Sequence, residues 1–220
     1  KSEWADNTFQ LNISAFHMKW SDYQVSVFNL GQWWIRGTVN AGGAESTGAE
    51  VNWTWQATDR FKIRGSLFAT DAKFTDDFFS PDDPTNLEIR KGQDMPNSPP
   101  YKAWLALGYD VPGVFGGDLS LYYDVSVQGE VWNTSGNARD ESEDGLASSW
   151  VHHNLSAGLD LPSQWNVTLK VNNLFDQDTA TYINDQIQGY SETFPTATRD
   201  RRNSNRGRPR TVWLSLRKDF

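Results

Sequence analysis

The chain has 220 residues, with 20 Lys+Arg against 28 Asp+Glu and a formal net charge of −8. This acidic balance argues against a nucleic-acid-binding protein, which normally presents a basic surface. Cysteine is absent, which excludes disulfide frameworks, thiol catalysis and cysteine-based zinc sites. No apolar run approaches the roughly 20 residues of a transmembrane helix. The sequence starts at Lys1 without an initiator Met or a signal-peptide pattern, so it is expected to be a fragment or a processed chain.

The tryptophan content is unusual for so polar a chain. Aromatic residues make up 14% of it and include 11 Trp, whereas only 37% of all residues are hydrophobic. A soluble domain this polar rarely contains so many indole rings. A membrane β-barrel can, because half of each strand faces lipid and aromatic side chains collect at both interfaces.

Apolar and polar side chains alternate with a period of two along most of the chain, which predicts β-strands. The alternation is clean in residues 9–15, 50–56, 61–70, 119–128, 151–160, 165–172 and 211–219. Residues 101–110 fit less well, because Trp104 would lie on the polar face of that strand. With a first strand that ends at Trp4, about nine strands are predicted.

The predicted connections are alternately short and long. The short ones are residues 5–7, 58–60, 111–117 and 161–164, and the long ones are residues 24–39, 75–100, 129–148 and 174–209. An up-and-down antiparallel sheet places alternate connections at opposite edges. Tight turns at one edge and long loops at the other are typical of an outer-membrane barrel, with its periplasmic turns and extracellular loops.

Aromatic residues flank the short connections, nearly all in phase with the apolar face. They are Trp4, Phe9, Trp55, Phe61, Tyr109, Trp165 and the terminal Phe220. Amphipathic rings at this position would form a girdle at one membrane interface. The opposite, polar phase carries charges of both signs and is expected to line a hydrated lumen: Glu50, Lys62, Arg64, Asp124, Lys170, Arg217 and Asp219.

A sheet of nine strands leaves two outer strands with unpaired backbone groups, which cannot face lipid. Either nine strands close alone, or they belong to a larger barrel. The missing start of the chain favours the larger barrel.

Three segments resemble TonB-dependent outer-membrane receptors. Val167-Thr-Leu-Lys-Val-Asn-Asn-Leu-Phe-Asp176 resembles their penultimate strand, and Gly207-Arg-Pro-Arg210 with a C-terminal Phe resembles the start and end of their last strand. Asn40-Ala-Gly-Gly-Ala-Glu-Ser-Thr-Gly-Ala-Glu50 is similar to the start of an earlier strand. The family usually has an aromatic residue where this chain has Lys218. This lysine would point to the lipid side near the interface and could reach the headgroups.

The resemblance implies an all-β, antiparallel up-and-down transmembrane β-barrel. Residues 1–220 would form about nine C-terminal strands of a 22-stranded barrel whose lumen is plugged, with the plug domain outside this chain. The resemblance further implies a receptor, not an enzyme, that takes up a ferric siderophore, haem, cobalamin or a glycan. Its implied partners are outer-membrane lipid, lipopolysaccharide, the TonB complex through the plug, and the barrel assembly machinery, which would read Phe220 as an assembly signal. Nucleic acid and cofactors are not expected.

Candidate ligand contacts lie in the long connections. Trp33 and Trp34 could stack on a flat or sugar-like ligand or simply pack within their loop. Arg201 and Arg202, in a loop that also holds Arg199, Arg206 and Arg208, could bind an anionic ligand or lipopolysaccharide or pair with acidic loops. The acidic residues of the second long loop could hold a divalent cation, but they lack the spacing of an EF-hand and read more simply as a solvated loop. These residues are Asp76, Asp77, Asp82, Asp83, Glu88 and Asp94.

No catalytic, metal or cofactor residue is predicted. His152 and His153 are adjacent in a strand and therefore face opposite sides, so one metal ion cannot bind both. Three other classes stay open. They are a passive porin, a barrel hydrolase that would use Ser149, His153 and Asn154, and a soluble glycan-binding β-protein. The Asn-Leu-Phe-Asp and Gly-Arg-Pro-Arg segments discriminate against the porin.

Overall fold

The computed structural model describes residues 2–4, 8–28, 36–81, 83–85, 87–133, 145–184 and 203–218. Within these ranges every regular element is a β-strand, and none of the described residues forms a helix able to cross a membrane. The strands are β1 (Ser2–Trp4), β2 (Phe9–Trp20), β3 (Gln24–Phe28), β4 (Arg36–Asn40), β5 (Ala44–Thr58), β6 (Phe61–Phe74), β7 (Phe78–Phe79), β8 (Leu87–Ile89), β9 (Tyr101–Val114), β10 (Gly117–Gln128), β11 (Val131–Trp132), β12 (Leu146–Ala147), β13 (Trp150–Asp160), β14 (Trp165–Asn172), β15 (Ala180–Asn184), β16 (Asn203–Arg206) and β17 (Thr211–Lys218).

Nine of these strands form one antiparallel sheet in the order β1-β2-β5-β6-β9-β10-β13-β14-β17. Each strand pairs with the next long strand along the chain, so the topology is up-and-down. The predicted all-β, antiparallel fold class is confirmed. Within the described residues the sheet is open, because β1 and β17 each pair with one neighbour.

The two edges of the sheet differ as the sequence predicts. At one edge, Asp59 and Arg60 join β5 to β6, and residues 161–164 join β13 to β14. At the other edge, residues 21–43, 75–100, 129–149 and 173–210 connect the strands. We call these the turn edge and the loop edge. The predicted short connection at residues 5–7 lies outside the described residues.

One predicted turn is too long. The sequence assigns residues 111–117 to a connection, but β9 continues to Val114 and only Phe115 and Gly116 form the turn. Both adopt left-handed backbone conformations, with φ of 51° and 78°. Two consecutive residues with positive φ reverse the chain in the tightest hairpin turn, so the strand pairing extends further than the Pro and Gly residues suggest.

Each long connection contains a two-stranded hairpin that the sequence analysis does not predict. The pairs are β3–β4, β7–β8, β11–β12 and β15–β16. Their strands are two to five residues long, which is too short for a period-two pattern to stand out. Each long connection therefore contains regular secondary structure at the loop edge.

A small hydrophobic core lies at the loop edge, where the first two hairpins pack against the ends of β5 and β6. Its buried members are Val25, Ala41, Ala44, Ala72, Phe74, Ile89 and Met95. Tyr23 packs on Phe74 edge to face, with ring centroids 5.6 Å apart. This core holds the hairpins of the two connections against the sheet.

The register determines which side chains share a face of the sheet. Leu11, Trp53, Gly65, Leu105 and Val125 are successive cross-strand partners on what we call the apolar face. The opposite, polar face contains the row Ser66, Trp104 and Ser126. Trp104 therefore lies on the polar face, as the alternation requires. Large side chains on the apolar face are partly exposed to solvent; Leu67 and Leu169 are both 44% exposed.

Gly65 shows how closely the apolar face is packed. A Cβ atom at this position would lie only 2.0 Å from the Trp53 ring. A larger residue would displace the indole, so the glycine allows the ring of its cross-strand neighbour to lie flat on β6.

Candidate functional site

Charged side chains of both signs lie on the polar face. The register places Arg64, Ala106 and Asp124 in one row across β6, β9 and β10. The Arg64 guanidinium lies 6.0 Å from the Trp104 ring centroid and 5.9 Å from that of Tyr122. The Asn154 amide donates a 2.8 Å hydrogen bond to Asp124. The predicted polar set shares this face, apart from Asp219, which lies outside the described residues.

The apolar face changes character along β6. From Phe61 to Ala69 its residues are Phe, Ile, Gly, Leu and Ala, and the next two in phase are Asp71 and Lys73. The apolar stretch measures about 26 Å along the strand at roughly 3.3 Å per residue. A tilt of about 40° leaves about 20 Å of height, close to the apolar band of a transmembrane barrel. The boundary of this band on the loop-edge side falls between Ala69 and Asp71.

Charged and polar residues continue above that boundary on the neighbouring strands. Asp71 and Lys73 form a 2.8 Å ion pair, and Thr47 and Glu45 are their partners on β5. On β2 the same two rows contain His17 and Lys19. The three strands β2, β5 and β6 thus extend beyond the apolar band by about four residues.

Aromatic side chains mark the other boundary, at the turn edge. Trp4, Phe9 and Trp55 are consecutive cross-strand partners, and the Phe61 and Tyr109 rings meet edge to face with centroids 6.2 Å apart. Tyr109 belongs to the strand whose alternation is irregular in the sequence, and its pairing with Phe61 places it on the apolar face. The exposures of Trp4, Trp55, Tyr109 and Trp165 are 61%, 44%, 45% and 40%, as expected for rings that meet an interface.

Lys218 lies at the turn edge, opposite Trp165 in the register of β14 and β17. Its ammonium is 5.4 Å from the centroid of the Trp165 ring. The lysine is therefore on the apolar face at its boundary, as predicted, and the indole provides a favourable cation–π contact there.

The two signature segments near the end of the chain are bonded to each other. Asn173 is 5% exposed and left-handed, with φ of 50°. Its side-chain amide donates to the carbonyls of Gln177 and Arg208, at 2.9 and 3.1 Å, and its Oδ1 accepts from the Gln177 backbone N–H at 2.9 Å. Its own N–H donates to Asn154 Oδ1 on β13 at 3.0 Å. One side chain thus joins the end of β14 to the approach to β17.

Further contacts extend this junction. The Arg210 N–H donates to Asp176 Oδ1 at 2.7 Å, and the Gly207 N–H donates to the Thr179 carbonyl at 2.8 Å. Asp178 and Arg206 form an ion pair. We call residues 173–179 with residues 206–210 the clasp. It closes the base of the last long connection.

A cavity of about 340 Å³ lies on the polar face near the loop edge. Apolar side chains from β2, β6 and the second long connection dominate its lining. The lining residues are Phe16, Met18, Trp20, Ser46, Glu50, Phe68, Thr70, Ala72, Met95 and Ser98. Sequence reasoning missed this cavity. The available signal was the break in alternation at residues 16, 18, 20 and 68, where apolar residues take the polar phase.

The ligand-contact candidates from the sequence, Trp33, Trp34, Arg201 and Arg202, lie outside the described residues, as do Phe220, Arg199 and Asp82. They therefore stay predictions. Arg206 pairs with Asp178, and the Arg208 carbonyl accepts a hydrogen bond in the clasp.

The acidic residues of the second long connection support the loop itself. Asp76 Oδ2 accepts from the Gly43 N–H at 2.6 Å, and Asp77 Oδ1 accepts from the Lys91 N–H at 2.7 Å. The Thr85 hydroxyl and backbone N–H donate to Asp83 at 2.6 and 2.9 Å and lower the pKa of that carboxyl. The described residues contain no group of three or more His, Asp or Glu side chains placed to hold a metal ion.

The two adjacent histidines face opposite sides, as predicted. His152 bonds the Thr179 hydroxyl at 3.0 Å and packs against Trp150. His153 shares the apolar face with Tyr123, whose hydroxyl is 2.6 Å from its Nδ1, whereas Asn154 points to the polar face and bonds Asp124. His153 and Asn154 therefore cannot combine into one hydrolytic site.

Comparison with solved structures shows the same fold. The chain is similar to the ferric yersiniabactin uptake receptor FyuA from Yersinia pestis, with a TM-score of 0.73, 20% identity, and coverage of 99% of this chain and 28% of that one. It is similar to the copper transporter OprC, with a TM-score of 0.65, 19% identity, and coverage of 99% and 30%. It is also similar to BauA, the ferric preacinetobactin receptor from Acinetobacter baumannii, with a TM-score of 0.61, 17% identity, and coverage of 96% of this chain and 27% of that one. The chain thus spans less than a third of each of these proteins.

No curated protein sequence matches the chain significantly. The profile of the family described as TonB dependent receptor-like, beta-barrel matches residues 1–174. This match covers well over half of the chain and includes eight complete strands of the sheet. The chain therefore belongs to the TonB-dependent receptor family, and its nine-stranded sheet is part of that family's β-barrel.

Proposed function

We propose that this chain is the C-terminal portion of the barrel of an outer-membrane receptor in a Gram-negative bacterium. The complete protein imports a scarce ligand, such as a ferric siderophore, haem, cobalamin or a glycan, with energy supplied through TonB. Residues 1–220 contribute barrel wall and extracellular loops to a barrel of about 22 strands, and a plug domain elsewhere in the protein contacts TonB. The protein acts as a receptor and not as an enzyme.

The contrast between the two faces of the sheet is the observation that carries this proposal. The apolar face exposes leucine, valine and tryptophan side chains to its surroundings, and the polar face carries Arg64, Asp124 and Lys170. Exposed apolar side chains over so wide an area are stable only against lipid or another apolar partner. Lipid on one side and a hydrated lumen on the other satisfy both faces.

The partners follow from this placement. Outer-membrane lipid contacts the apolar face, and lipopolysaccharide contacts the charged rows that contain Lys19 and Lys73. The barrel assembly machinery recognises the C-terminal segment of the chain, which contains β17 and Phe220. The names of two similar proteins support the ligand class, since FyuA is a ferric yersiniabactin uptake receptor and BauA is the ferric preacinetobactin receptor. Nucleic acid is not a partner of this acidic chain.

The orientation of the two edges is testable with single cysteines, because the chain has none of its own. Lys91→Cys, in a long connection, should react with a membrane-impermeant maleimide on intact cells. Phe115→Cys should stay unlabelled until the envelope is opened, although Phe115 is 86% exposed. Because Phe115 is so exposed, a lack of labelling at this position cannot be caused by burial within the protein. Labelling of Phe115→Cys alone on intact cells would reverse the assigned orientation.

Uptake tests the activity itself. Cells that express the full-length receptor should accumulate a radiolabelled ligand from a panel of ferric siderophores, haem and cobalamin. Accumulation should fall to the level of receptor-free cells when TonB is deleted or a protonophore is added, because transport against a gradient needs coupled energy. Uptake that persists without TonB, together with ion conductance of the purified protein in planar bilayers, would instead indicate a passive porin.

A further inference from the structure

The hairpin of β9 and β10 extends beyond its neighbour at the turn edge. The Asp110 N–H donates to the carbonyl of Arg60, in the turn between β5 and β6, at 3.0 Å. Strand β9 nevertheless continues to Val114 before the chain reverses. Residues 111–116, which we call the tip, therefore project past the β5–β6 turn.

The position of the tip along the strand places it outside the membrane. Tyr109 belongs to the aromatic girdle at the turn edge, and Phe115 follows it by six residues. At about 3.3 Å per residue and a tilt of about 40°, Phe115 lies roughly 15 Å beyond the girdle. The headgroup layer adds only about 5–8 Å on each side of the hydrocarbon core. In the proposed orientation Phe115 is thus in the aqueous periplasm, beyond the reach of lipid.

The backbone of the tip is unfavourable for the residue that occupies it. Phe115 has a φ of 51° and the next residue, Gly116, has a φ of 78°. Bulky side chains rarely adopt this left-handed conformation, and two-residue turns of this kind favour asparagine at the first position. Phe115 is 86% exposed, so packing against the described residues does not compensate for the strain. A strained and exposed phenyl ring indicates a contact with another molecule.

Apolar residues surround the ring and form one patch. The tip reads Val-Pro-Gly-Val-Phe-Gly and carries no charge. The turn between β13 and β14 lies beside it, since a Cβ atom at Gly116 would be 3.8 Å from the Pro162 ring. Pro112 and Pro162 are both exposed. A contiguous exposed apolar patch of this kind marks an interaction surface.

Carboxylates border the patch on the polar face of the sheet. Asp118 and Asp160 are direct cross-strand partners, and Asp110 lies on the same face; all three are exposed. The neighbouring turn adds Asp59 and Arg60, whose charges cancel. Like charges directly opposite each other are destabilising. A protein with basic groups around an apolar pocket complements this surface, because opposite charges across an interface favour specific association.

We propose that the tip is a docking site for the periplasmic domain of TonB, in addition to the contact between TonB and the plug. The inference rests on the proposed function and deepens it, since TonB approaches the receptor from the turn edge in that orientation. Phe115 enters an apolar pocket on TonB, and basic groups at the rim of the pocket face Asp118 and Asp160. A second contact within the same receptor raises the affinity above that of the plug contact alone.

Binding of the purified periplasmic domain of TonB to the full-length receptor in lipid nanodiscs tests this site. Phe115→Asn should weaken binding about tenfold, because it removes one buried aromatic anchor. The same variant should unfold at an equal or higher denaturant concentration than the wild type, since asparagine suits the turn. Asp118→Asn should weaken binding about twofold at low salt. Phe79→Asn is the matched control, because it makes the same change at a 46% exposed phenylalanine on the loop edge; it should leave the affinity unchanged.

A photoreactive p-benzoylphenylalanine in place of Phe115 tests the same contact in cells. It should give a crosslinked product with TonB that is missing from cells without TonB. Unchanged affinity of Phe115→Asn, a crosslink to phospholipid or peptidoglycan instead of TonB, or failure of the wild-type receptor to bind the TonB domain would overturn the inference. The proposed function is overturned by a different result, namely ligand accumulation that persists without TonB.

Discussion

Leu169→Arg is expected to lower the free energy of unfolding in lipid by about 2–4 kcal/mol, as for an arginine on the lipid side near the bilayer midplane. Leu169 is 44% exposed and lies between Ala157 and Leu214 on the apolar face. A guanidinium there must leave water for hydrocarbon or pull the surrounding lipid out of place. The measurement is denaturant titration of the full-length protein in vesicles, with surface abundance in cells as a second readout.

Thr168→Arg is the matched control, at nearly the same depth but on the other face. Thr168 lies between Gly158 and Ser215, and its hydroxyl donates to Asn166 Oδ1 at 3.0 Å. The adjacent glycine leaves room for a longer side chain, and a hydrated lumen does not desolvate the charge. We therefore expect a clearly smaller loss than for Leu169→Arg. Equal losses would contradict lipid and water as the two environments, and a larger loss for Thr168→Arg would contradict the register.

Asn173→Ala is the second substitution with a large expected effect. It removes the three side-chain hydrogen bonds of the buried Asn173, which join it to Gln177 and Arg208. It also places a non-glycine residue at positive φ without the local hydrogen bonds that asparagine makes there. A loss of about 2–4 kcal/mol is expected, since three hydrogen bonds are lost and each contributes about 0.5–1.5 kcal/mol. Denaturant titration of the full-length protein measures it.

The neighbouring Asn172→Ala provides the control for Asn173→Ala. The Asn172 side chain donates a 3.2 Å hydrogen bond to the Thr211 hydroxyl, and the loss of this bond is expected to cost about 0.5–1.5 kcal/mol. Because both substitutions shorten an asparagine at the end of β14, the difference between them isolates the clasp. Similar losses for the two variants would show that the clasp contributes little beyond an ordinary cross-strand hydrogen bond.

Strand phase was the part of the fold most readily predicted from the sequence, since each side of a strand has one environment. The alternation around Leu169 and Thr168 gave the correct faces, and it placed Trp104 on the polar face even where the pattern was irregular. Turn length was less predictable. The turn at Phe115 depends on two positive φ values, and Phe is not a residue type that signals such a conformation.

The clasp and the cavity could not be predicted from the sequence, because both depend on contacts between segments that are far apart in the chain. Asn173 and Arg208 are 35 residues apart in sequence, so their hydrogen bond requires knowledge of how β14 and β17 pair. The cavity combines Phe16, Phe68 and Met95 from three separate segments. A period-two reading treats each of these side chains as a local irregularity, and only the register brings them together.

Because of the clasp, the pairing of β14 with β17 does not depend on the sequence of the loop that connects them. The hydrogen bonds of the clasp fix both ends of the connection between β14 and β17, so the residues beyond the ends need not hold the strands in register. Closing a flexible loop on a fixed base costs only about 0.6 kcal/mol more for each doubling of its length. The last connection can therefore change in length or in sequence while the strands beneath it keep the same pairing.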